Sequence, residues 1–404
     1  MKNTHAQKLS MNFRQIPKSF IREILNVADQ KNMISFAGGL PNPDLFPLDE
    51  LRESANCILH QQGRTVLQYA GSQGYRPLRE WIANRYSLKH NMDISPDNIV
   101  ITNGSQQTID VVSKMFLNQG EGVIVEKPTY LGGIQALSAY SPAFLEVDLN
   151  DDGPNLEQIE AHCLNHVPKL MYSIPNFQNP SGISYSKEKR EQLSQLLSTY
   201  NLLLLEDDPY HEIRFDGSDL PPVFSMAKEQ VIWTGSFSKM VAPGLRMGWA
   251  VLPDELTPAF VRAKESTDLH SNNLSQYILH HYLTHNSIDN HLQQVREVYK
   301  KQHDFMQLML KRYFPEHTKS TRAKGGMFIW LTLPEWANSE DLIQNCMKKG
   351  VAFVPGSSFY TSPNGARHIR MNFSNSPFEK IEKGIQIMAS ELQKLKAQKV
   401  SFVI

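Results

Sequence analysis

The sequence predicts an α/β fold: a large domain with a mostly parallel central sheet sandwiched by helices, and a smaller α+β domain. Three observations lead to this prediction. Strand-like and helix-like segments alternate from residue 98 to 252, as in sheets built with crossover helices. Residues 202–205 are all leucine, which is typical of a strand buried on both faces. The last third of the chain mixes long helical patterns with short strands.

Length and composition exclude several classes of protein. The chain has 404 residues, enough for a substantial core. Lys+Arg and Asp+Glu both total 41, so net charge gives no support for nucleic-acid or membrane-surface binding. The N-terminus has no apolar signal core, and three scattered cysteines favour reduced thiols. We expect a soluble cytoplasmic protein with no nucleic-acid or membrane partner and no bound metal.

The individual elements follow from hydrophobic periodicity and from Gly, Pro and Asn breaks. Predicted helices cover residues 18–32, 78–85, a segment after 105, 187–200, 256–263, 275–284, 288–312, 339–349 and 377–398. Predicted strands cover residues 34–36, 98–102, 122–126, 143–147, 169–174, 202–205, 231–234, 247–251, 326–331, 351–354 and 368–373. We expect a large domain at 47–285 and a small domain at 286–404, which the N-terminal segment 1–46 joins.

The segment after strand 231–234 carries the most chemical information. Lys239 lies beside the hydroxyls of Ser236 and Ser238, and Arg246 follows a Pro-Gly break. Hydroxyls and a guanidinium together can hold a phosphate. A lysine next to a bound phosphate suits a cofactor that forms a Schiff base with its amine. The alternative is a solvated lysine in a surface loop.

The pattern S-x-S-K-x-x-x-P-G-x-R resembles the lysine segment of pyridoxal phosphate (PLP) enzymes of the aspartate aminotransferase fold, called fold type I. It is most similar to the 2-aminoadipate/kynurenine aminotransferase-like subgroup. The resemblance implies that Lys239 holds PLP as a Schiff base and acts as the catalytic base. It also implies that Ser236, Ser238 and Arg246 bind the cofactor phosphate.

A second phosphate-binding segment follows strand 98–102. A strand, a Gly-Ser pair and a helix start form an anion site, because free N–H groups and the helix dipole point to one spot. The run from Gly104 to Gln107 is similar to the family's phosphate cradle, which implies Ser105 and Gln106 as ligands. Ser105 could instead be a simple N-cap. By the same resemblance, Tyr69 would reach the phosphate of the neighbouring subunit; otherwise it is a packing residue.

Three further segments resemble the family's ring-binding motifs. Tyr130, after Lys127-Pro128, would stack on the pyridine ring and count among the catalytic residues. Asn179, in P-x-x-Q-N-P-x-G, and Tyr210 would bond the 3-oxygen of PLP. Asp207 would pair with the pyridinium nitrogen, at a strand end where open α/β sheets bind ligands. A solvated acidic loop is the alternative, and Asp208 is the neighbour most easily confused with Asp207.

Substrate binding is also implied by resemblance. Arg370 fits the family's R-x-N-F-S motif, whose arginine binds the substrate α-carboxylate; a structural ion pair is the alternative. Asn179 would assist it. Gly39 belongs to the segment S-F-A-G-G-L-P, which closes over the substrate or else forms a structural turn. Arg22 would grip a distal carboxylate, unless it is a solvent-facing helix residue.

Together these features predict a PLP-dependent aminotransferase that transfers an amino group from an α-amino acid to a 2-oxo acid such as 2-oxoglutarate. The resemblance implies a homodimer with shared active sites. PLP-dependent lyases and decarboxylases remain alternatives, because the cofactor does not dictate which Cα bond breaks. A PLP-binding transcription regulator is a further alternative, disfavoured because few residues precede the first matching helix. A non-catalytic PLP-binding protein is the last, disfavoured because no chemical group is missing.

Overall fold

The computed structural model describes residues 5–17 and 33–401. The predicted helix over 18–32, with Arg22, lies outside the described residues. The first elements of the chain are helix α1 (Met11–Gln15), strand β1 (Ile34–Ser35), and helices α2 (Leu48–Val66) and α3 (Arg76–His90). The sequence analysis named no helix over 48–66. The pattern of α2 is weak because only Ser54, Ile58 and Val66 are buried along its 19 residues.

Eight strands form the central sheet of the large domain. They are β2 (Ile99–Thr102), β3 (Gly122–Lys127), β4 (Ala143–Asn150), β5 (Gly153–Pro154), β6 (Leu170–Ser173), β7 (Leu204–Asp207), β8 (Val231–Ser236) and β9 (Gly248–Val251). Their order is β2-β9-β8-β7-β6-β3-β4-β5. Pairing is parallel from β8 through to β4, whereas β9 runs antiparallel between β2 and β8, and β5 runs antiparallel to β4. The mostly parallel sheet is confirmed, with antiparallel strands toward both edges.

Helices cover both faces of this sheet, and β2, β6, β7, β8 and β9 are therefore buried at every position. The helices are α4 (Ser105–Phe116), α5 (Leu131–Ser138), α6 (Leu156–His166), α7 (Lys187–Tyr200), α8 (Thr257–Asp268) and α9 (Asn273–His285). Side-chain caps at Asn155, Ser186 and Asn272 begin α6, α7 and α9.

Strand β7 differs from its prediction in a way that matters for the site. The sequence placed it at 202–205, but it runs from Leu204 to Asp207 and so includes two acidic residues. Glu206 can be buried there because its carboxylate accepts hydrogen bonds from the backbone N–H groups of Val223 and Phe224, at 3.0 and 2.9 Å. The acidic segment is therefore the end of a strand rather than a solvated loop.

The C-terminal part contains α10 (Ile288–Tyr313), β10 (Lys319–Ser320), β11 (Phe328–Thr332), α11 (Ser339–Lys348), β12 (Val351–Ala352), β13 (Val354–Pro355), β14 (His368–Asn372) and α12 (Phe378–Ser401). Four strands form an antiparallel sheet in the order β10-β11-β14-β13. Strand β1 pairs in parallel with β12, Ile34 opposite Val351. The exact domain boundaries stay a prediction. None of the described helices is both long and apolar enough to span a membrane.

Candidate active site

A cavity of about 270 Å³ contains most of the predicted site residues. It lies where β7 and β8 end, which is where open α/β sheets place their ligands. Twelve of the predicted site residues line it: Gly39, Ser105, Gln106, Tyr130, Asn179, Asp207, Tyr210, Ser236, Ser238, Lys239, Arg246 and Arg370. Their positions span more than 300 residues of sequence, so the fold alone brings them together.

Two predicted residues are not among them. Tyr69 is 78% exposed and packs edge-on against His270, with ring centroids 5.8 Å apart. Its assignment to a neighbouring subunit's phosphate stays a prediction. Arg22 lies outside the described residues, so its contact with substrate also stays a prediction.

The start of α4 and Arg246 converge on one end of the cavity. Gly104 is the residue before α4 and has a φ of +79°, which favours glycine. A Cβ there would lie 2.9 Å from Nη2 of Arg246. That Nη2 donates to the carbonyl of Asn103 at 3.1 Å. Because Gly104 precedes the helix, Ser105 is its first residue, and the reading of Ser105 as a simple N-cap is wrong. The first N–H groups of α4 lack helical acceptors and can meet an anion.

Tyr130 and Gln106 form the wall beside this anion site. The Gln106 amide donates to the carbonyl of Gly132 at 2.7 Å, and its Oε1 accepts from the Tyr130 hydroxyl at 3.4 Å. Across the cavity, Ser236 Oγ accepts from the backbone N–H of Ser238 at 3.1 Å. These contacts fix the polar lining before any ligand enters.

Lys239 lies in the centre of this lining. Its Nζ donates to the carbonyl of Gly39 at 2.8 Å. Burial lowers the pKa of Lys239 to about 8, and the positive charges of Arg246 and Arg370 act in the same direction. A lysine with this pKa is partly neutral near pH 8, which is the form that acts as a nucleophile or a base.

Asp207 lines the same cavity, and one of its carboxylate oxygens is buried without a hydrogen-bond partner among the described residues. Its side chain is almost fully buried, and Oδ2 accepts from the Tyr172 hydroxyl at 2.9 Å. Within the described part of the chain, Oδ1 has no hydrogen-bond partner. Burial raises the pKa of Asp207 to about 7, and interactions of its carboxyl group with the hydroxyls of Tyr172 and Ser105 oppose the rise. A buried carboxylate oxygen without a donor fits a ligand that brings a cationic N–H group.

Asp208, the neighbour most easily confused with Asp207, does not line the cavity. It accepts from Asn176 Nδ2 at 2.8 Å and from Trp233 Nε1 at 3.3 Å, and it faces His211 at 3.2 Å. Interaction with His211 holds the pKa of Asp208 below its usual value despite burial. Its hydrogen-bonding capacity is used inside the protein.

Arg370 projects from β14 toward the cavity. Its Nη1 donates to Asn179 Oδ1 at 2.9 Å and its Nη2 donates to the carbonyl of Ala37. Among the residues described, Nε has no partner. The guanidinium lies over the rings of Phe328 and Phe359, 4.3 and 4.9 Å from their centroids. Burial lowers the pKa of Arg370 to about 10, so it remains charged at neutral pH. Because the protein partners of this buried cation are neutral, we expect an anionic ligand to bind it.

Two polar side chains connect Arg370 to the floor of the cavity. Asn179 accepts from Arg370 through Oδ1, while its Nδ2 donates to the Tyr210 hydroxyl at 3.4 Å. Burial raises the pKa of Tyr210, so its phenol stays protonated. The segment with Gly39 is tied to the same region, because the Ser374 hydroxyl donates to the carbonyl of Leu40 at 3.1 Å.

Some residues that support the site were not predicted from the sequence. Tyr172, on the neighbouring strand β6, holds Asp207 in place. Tyr172 had one usable signal: it lies in a predicted strand next to the one that ends in Asp207. Ile174, Pro209 and Pro243 also line the cavity. They carry no chemical signal that sequence could have revealed.

The charges of the site favour anionic ligands. Lys239, Arg246 and Arg370 bring three basic groups to the cavity lining, against the single carboxylate of Asp207. This excess of positive charge attracts phosphate at the α4 end and carboxylate at the Arg370 end. Both the phosphate and the ring nitrogen of PLP have matching groups in this cavity.

Comparisons with known proteins agree with this geometry. The family model "Aminotransferase class I and II" matches residues 23–387. The 2-aminoadipate transaminase of Thermus thermophilus is 38% identical over 387 residues, 95% of this chain and 96% of that protein. Aromatic-amino-acid aminotransferase 1 of Thermococcus litoralis is 36% identical over 385 residues, 93% of this chain and 91% of that protein.

Solved structures agree as well. The α-aminoadipate aminotransferase LysN of Thermus thermophilus, complexed with N-(5'-phosphopyridoxyl)-L-leucine, superposes with a TM-score of 0.91. It is 36% identical and covers 98% of this chain and 100% of its own. The expected fold type and cofactor are confirmed, and the lyase and regulator alternatives are not favoured. The chain belongs to the class I and II aminotransferases, PLP-dependent enzymes that transfer amino groups.

Proposed function

We propose that this aminotransferase works at the cavity around Lys239, moving an amino group from an α-amino acid to a 2-oxo acid such as 2-oxoglutarate. One observation carries the proposal. The amine of Lys239, the unpaired Oδ1 of Asp207 and the unpaired Nε of Arg370 belong to residues that line a single cavity. A base, an acceptor for a cationic ring nitrogen and a carboxylate receptor are what the reaction needs.

The residues present fit the cofactor. The N-terminus of α4, Ser236, Ser238 and Arg246 would hold its phosphate, with Ser105 and Gln106 at the helix start. Tyr130 would cover the ring, and Oδ1 of Asp207 would accept from the ring nitrogen. Asn179 Nδ2 and the Tyr210 hydroxyl, which lie 3.4 Å apart, would form hydrogen bonds with the 3-oxygen of PLP. When bound, PLP supplies an electron sink for the charge left on the substrate α-carbon after proton removal.

The chain's own residues then orient the substrate and move the proton. Arg370 would bind the α-carboxylate of the amino acid through its guanidinium, already aimed by Asn179 and the Ala37 carbonyl. Lys239 would take the α-proton onto Nζ and return it elsewhere on the bound molecule. Its pKa of about 8 suits both the removal and the return of the proton, because a general base works best when its pKa is near the operating pH.

The choice of amino donor is a finer proposal. The names of the two relatives indicate activity on 2-aminoadipate and on aromatic amino acids. We propose donors of these two kinds, dicarboxylic and aromatic. Arg22 would grip a distal carboxylate. The variant Arg22→Ala should then weaken dicarboxylic donors selectively, and equal losses across all donors would argue against this role.

We also propose a cytoplasmic homodimer with shared active sites. Tyr69 supports it: a large aromatic side chain 78% exposed on the surface is suited to reach a second subunit. In such a dimer, the tyrosine hydroxyl would donate to the phosphate in the partner's cavity.

The function is tested with a panel of amino acids and 2-oxoglutarate, measuring glutamate, 2-oxo acid and ammonia together. Transfer predicts equal amounts of glutamate and 2-oxo acid without ammonia. The variant Lys239→Ala should lose turnover. The control variant is Lys228→Ala, which replaces a lysine before β8 whose side chain is 41% exposed, and it should keep turnover. Ammonia released in step with 2-oxo acid, or near wild-type transfer by Lys239→Ala, would contradict the proposal.

A further inference from the structure

A cluster of two histidines and an aspartate lies outside the set of residues that line the cavity. His90 ends α3, His211 lies in the turn after β7, and Asp219 lies in the loop that follows. The side chains of His90 and His211 are 5% and 3% exposed, and that of Asp219 is 32% exposed. Sequence spacing gave no hint of this cluster, because His90 and His211 are 121 residues apart.

One ligand atom from each of the three side chains lies within 4.8 Å of the other two. The two Nε2 atoms of His90 and His211 are 2.9 Å apart. Asp219 Oδ1 lies 3.1 Å from Nε2 of His211, and Oδ2 lies 3.9 Å from Nε2 of His90. Ligand atoms of a tetrahedral ion with bonds of about 2.0–2.1 Å are ~3.3 Å apart, inside the range of these separations.

The orientation of His211 is fixed by its other ring nitrogen. Nδ1 lies 3.2 Å from Asp208 Oδ2, so the ring can donate there and direct Nε2 toward His90 and Asp219. Asp208 is itself held by Asn176 and Trp233. A carboxylate that orients a histidine in this way is the usual outer support of a metal ligand. The His90 ring stands perpendicular to that of His211, with centroids 4.9 Å apart.

We propose that His90, His211 and Asp219 bind one zinc ion. Two imidazole nitrogens and one carboxylate oxygen are ligands that zinc prefers, whereas Ca²⁺ and Mg²⁺ favour oxygen ligands. Water would complete the tetrahedron on the solvent side of Asp219.

The neighbouring charges are compatible with a divalent cation. Lys89 is the nearest amine, but its Nζ is shared between Asp219 Oδ2 and Glu212 Oε2, each 2.9 Å away. The guanidinium of Arg214 is 3.8 Å from Asp219 Oδ1. Glu212 is already paired with Arg85, Lys89 and Arg296, so the carboxylates that face the two histidines are those of Asp219 and Asp208.

The ion would serve as a structural link rather than take part in catalysis. It would join the end of α3 to the turn after β7 and to the following loop. Tyr210, which lines the active-site cavity, directly precedes His211. The proposal does not depend on the function assigned to that cavity.

The test adds zinc alone to untagged, chelator-treated holoenzyme and measures binding by competition with a chromophoric chelator. We expect one ion per chain with a Kd of about 1 μM or tighter, and a rise in Tm. His90→Gln and Asp219→Asn should weaken binding by about 100-fold or more and abolish the rise in Tm. Because Asp219 is partly exposed, we expect Asp219→Asn to fold. It tests the zinc site if His90→Gln does not fold.

A matched control uses a different histidine pair. His281 and His285 stack on α9 with ring centroids 3.9 Å apart and could bind metal adventitiously. His281→Gln should keep the zinc site and the rise in Tm. Cobalt should give the visible bands of tetrahedral Co²⁺ in the wild type and in His281→Gln, but not in His90→Gln. Binding of no ion by the wild type, or a site lost only in His281→Gln, would overturn the proposal.

Discussion

Two adjacent aspartates at the end of β7 have opposite surroundings. Both are buried, but Asp207 lines the cavity, and one of its oxygens has no hydrogen-bond partner among the described residues. Asp208 is on the other side and is bonded to Asn176, Trp233 and His211. Burial raises the pKa of Asp207, whereas the interaction with His211 lowers that of Asp208.

We interpret the carboxylate of Asp207 as a ligand-binding group and that of Asp208 as a group that stabilises the fold. A buried polar atom without a partner costs free energy, about 1–3 kcal/mol for an unsatisfied group. Such a group persists in a folded protein where a ligand later completes it. Asp207 and Arg370 each have such an atom in the same cavity lining. The satisfied carboxylate of Asp208 stabilises the turn after β7 instead.

The largest expected effect is that of the variant Asp207→Asn. The amide cannot hold a positive charge on the ring nitrogen, so we expect kcat to fall by about 10³-fold or more. Tm should change little, since the substitution removes a poorly satisfied buried charge. Single-turnover kinetics with the holoenzyme give the rate of α-proton removal. An unchanged rate would show that Asp207 has no electronic role.

Asp208→Asn should give the reverse result. It leaves His211 without its buried carboxylate partner, so the free energy of unfolding should fall by about 3 kcal/mol. The kcat of the folded fraction should stay close to wild type. Thermal or chemical unfolding followed beside activity measures both. If Asp208→Asn kept the stability of the wild type but lost turnover, Asp208 would have a role in catalysis rather than in stabilising the fold.

Arg370→Lys tests the second unpaired group. Lysine keeps the positive charge but loses the planar fork, so we expect kcat/KM to fall by about 30- to 100-fold, or ~2–3 kcal/mol. The loss should be similar for all amino donors, because every donor has an α-carboxylate. Steady-state kinetics with one dicarboxylic and one aromatic donor check this. A loss confined to one class would place Arg370 at the substrate side chain.

The smallest expected effect concerns pH. In the proposed mechanism Lys239 bonds the cofactor aldehyde in its neutral form, and burial beside Arg246 and Arg370 lowers its pKa to about 8. The rate at which the cofactor-free protein captures PLP should therefore rise about tenfold from pH 7 to 9 and then level off. Stopped-flow absorbance measures this rate. A rate that keeps rising toward pH 10.4, about the value of an ordinary lysine, would contradict the lowered pKa.

The sequence was sufficient to predict the fold class and most of the cavity lining because the relevant residues occur in local motifs. Lys239 with its serines, and Asn179 in its proline-rich turn, can be found without coordinates. The contrast between Asp207 and Asp208 could not be predicted, since it depends on the strand extending to residue 207 rather than ending at 205.

Other features depend on contacts that sequence does not encode locally. Helix α2 was missed because few of its residues are buried. Tyr172 supports Asp207 across two neighbouring strands, and His90 meets His211 from 121 positions away. These pairings arise from the order of strands and helices in space.

The central claim is that PLP binds in this cavity as a Schiff base on Lys239. Borohydride reduction of the holoenzyme fixes the cofactor to the amine that carries it, and peptide mass spectrometry then locates the label. We predict one phosphopyridoxyl group per chain, on Lys239. A label on any other lysine, in protein that is active before reduction, would contradict the account.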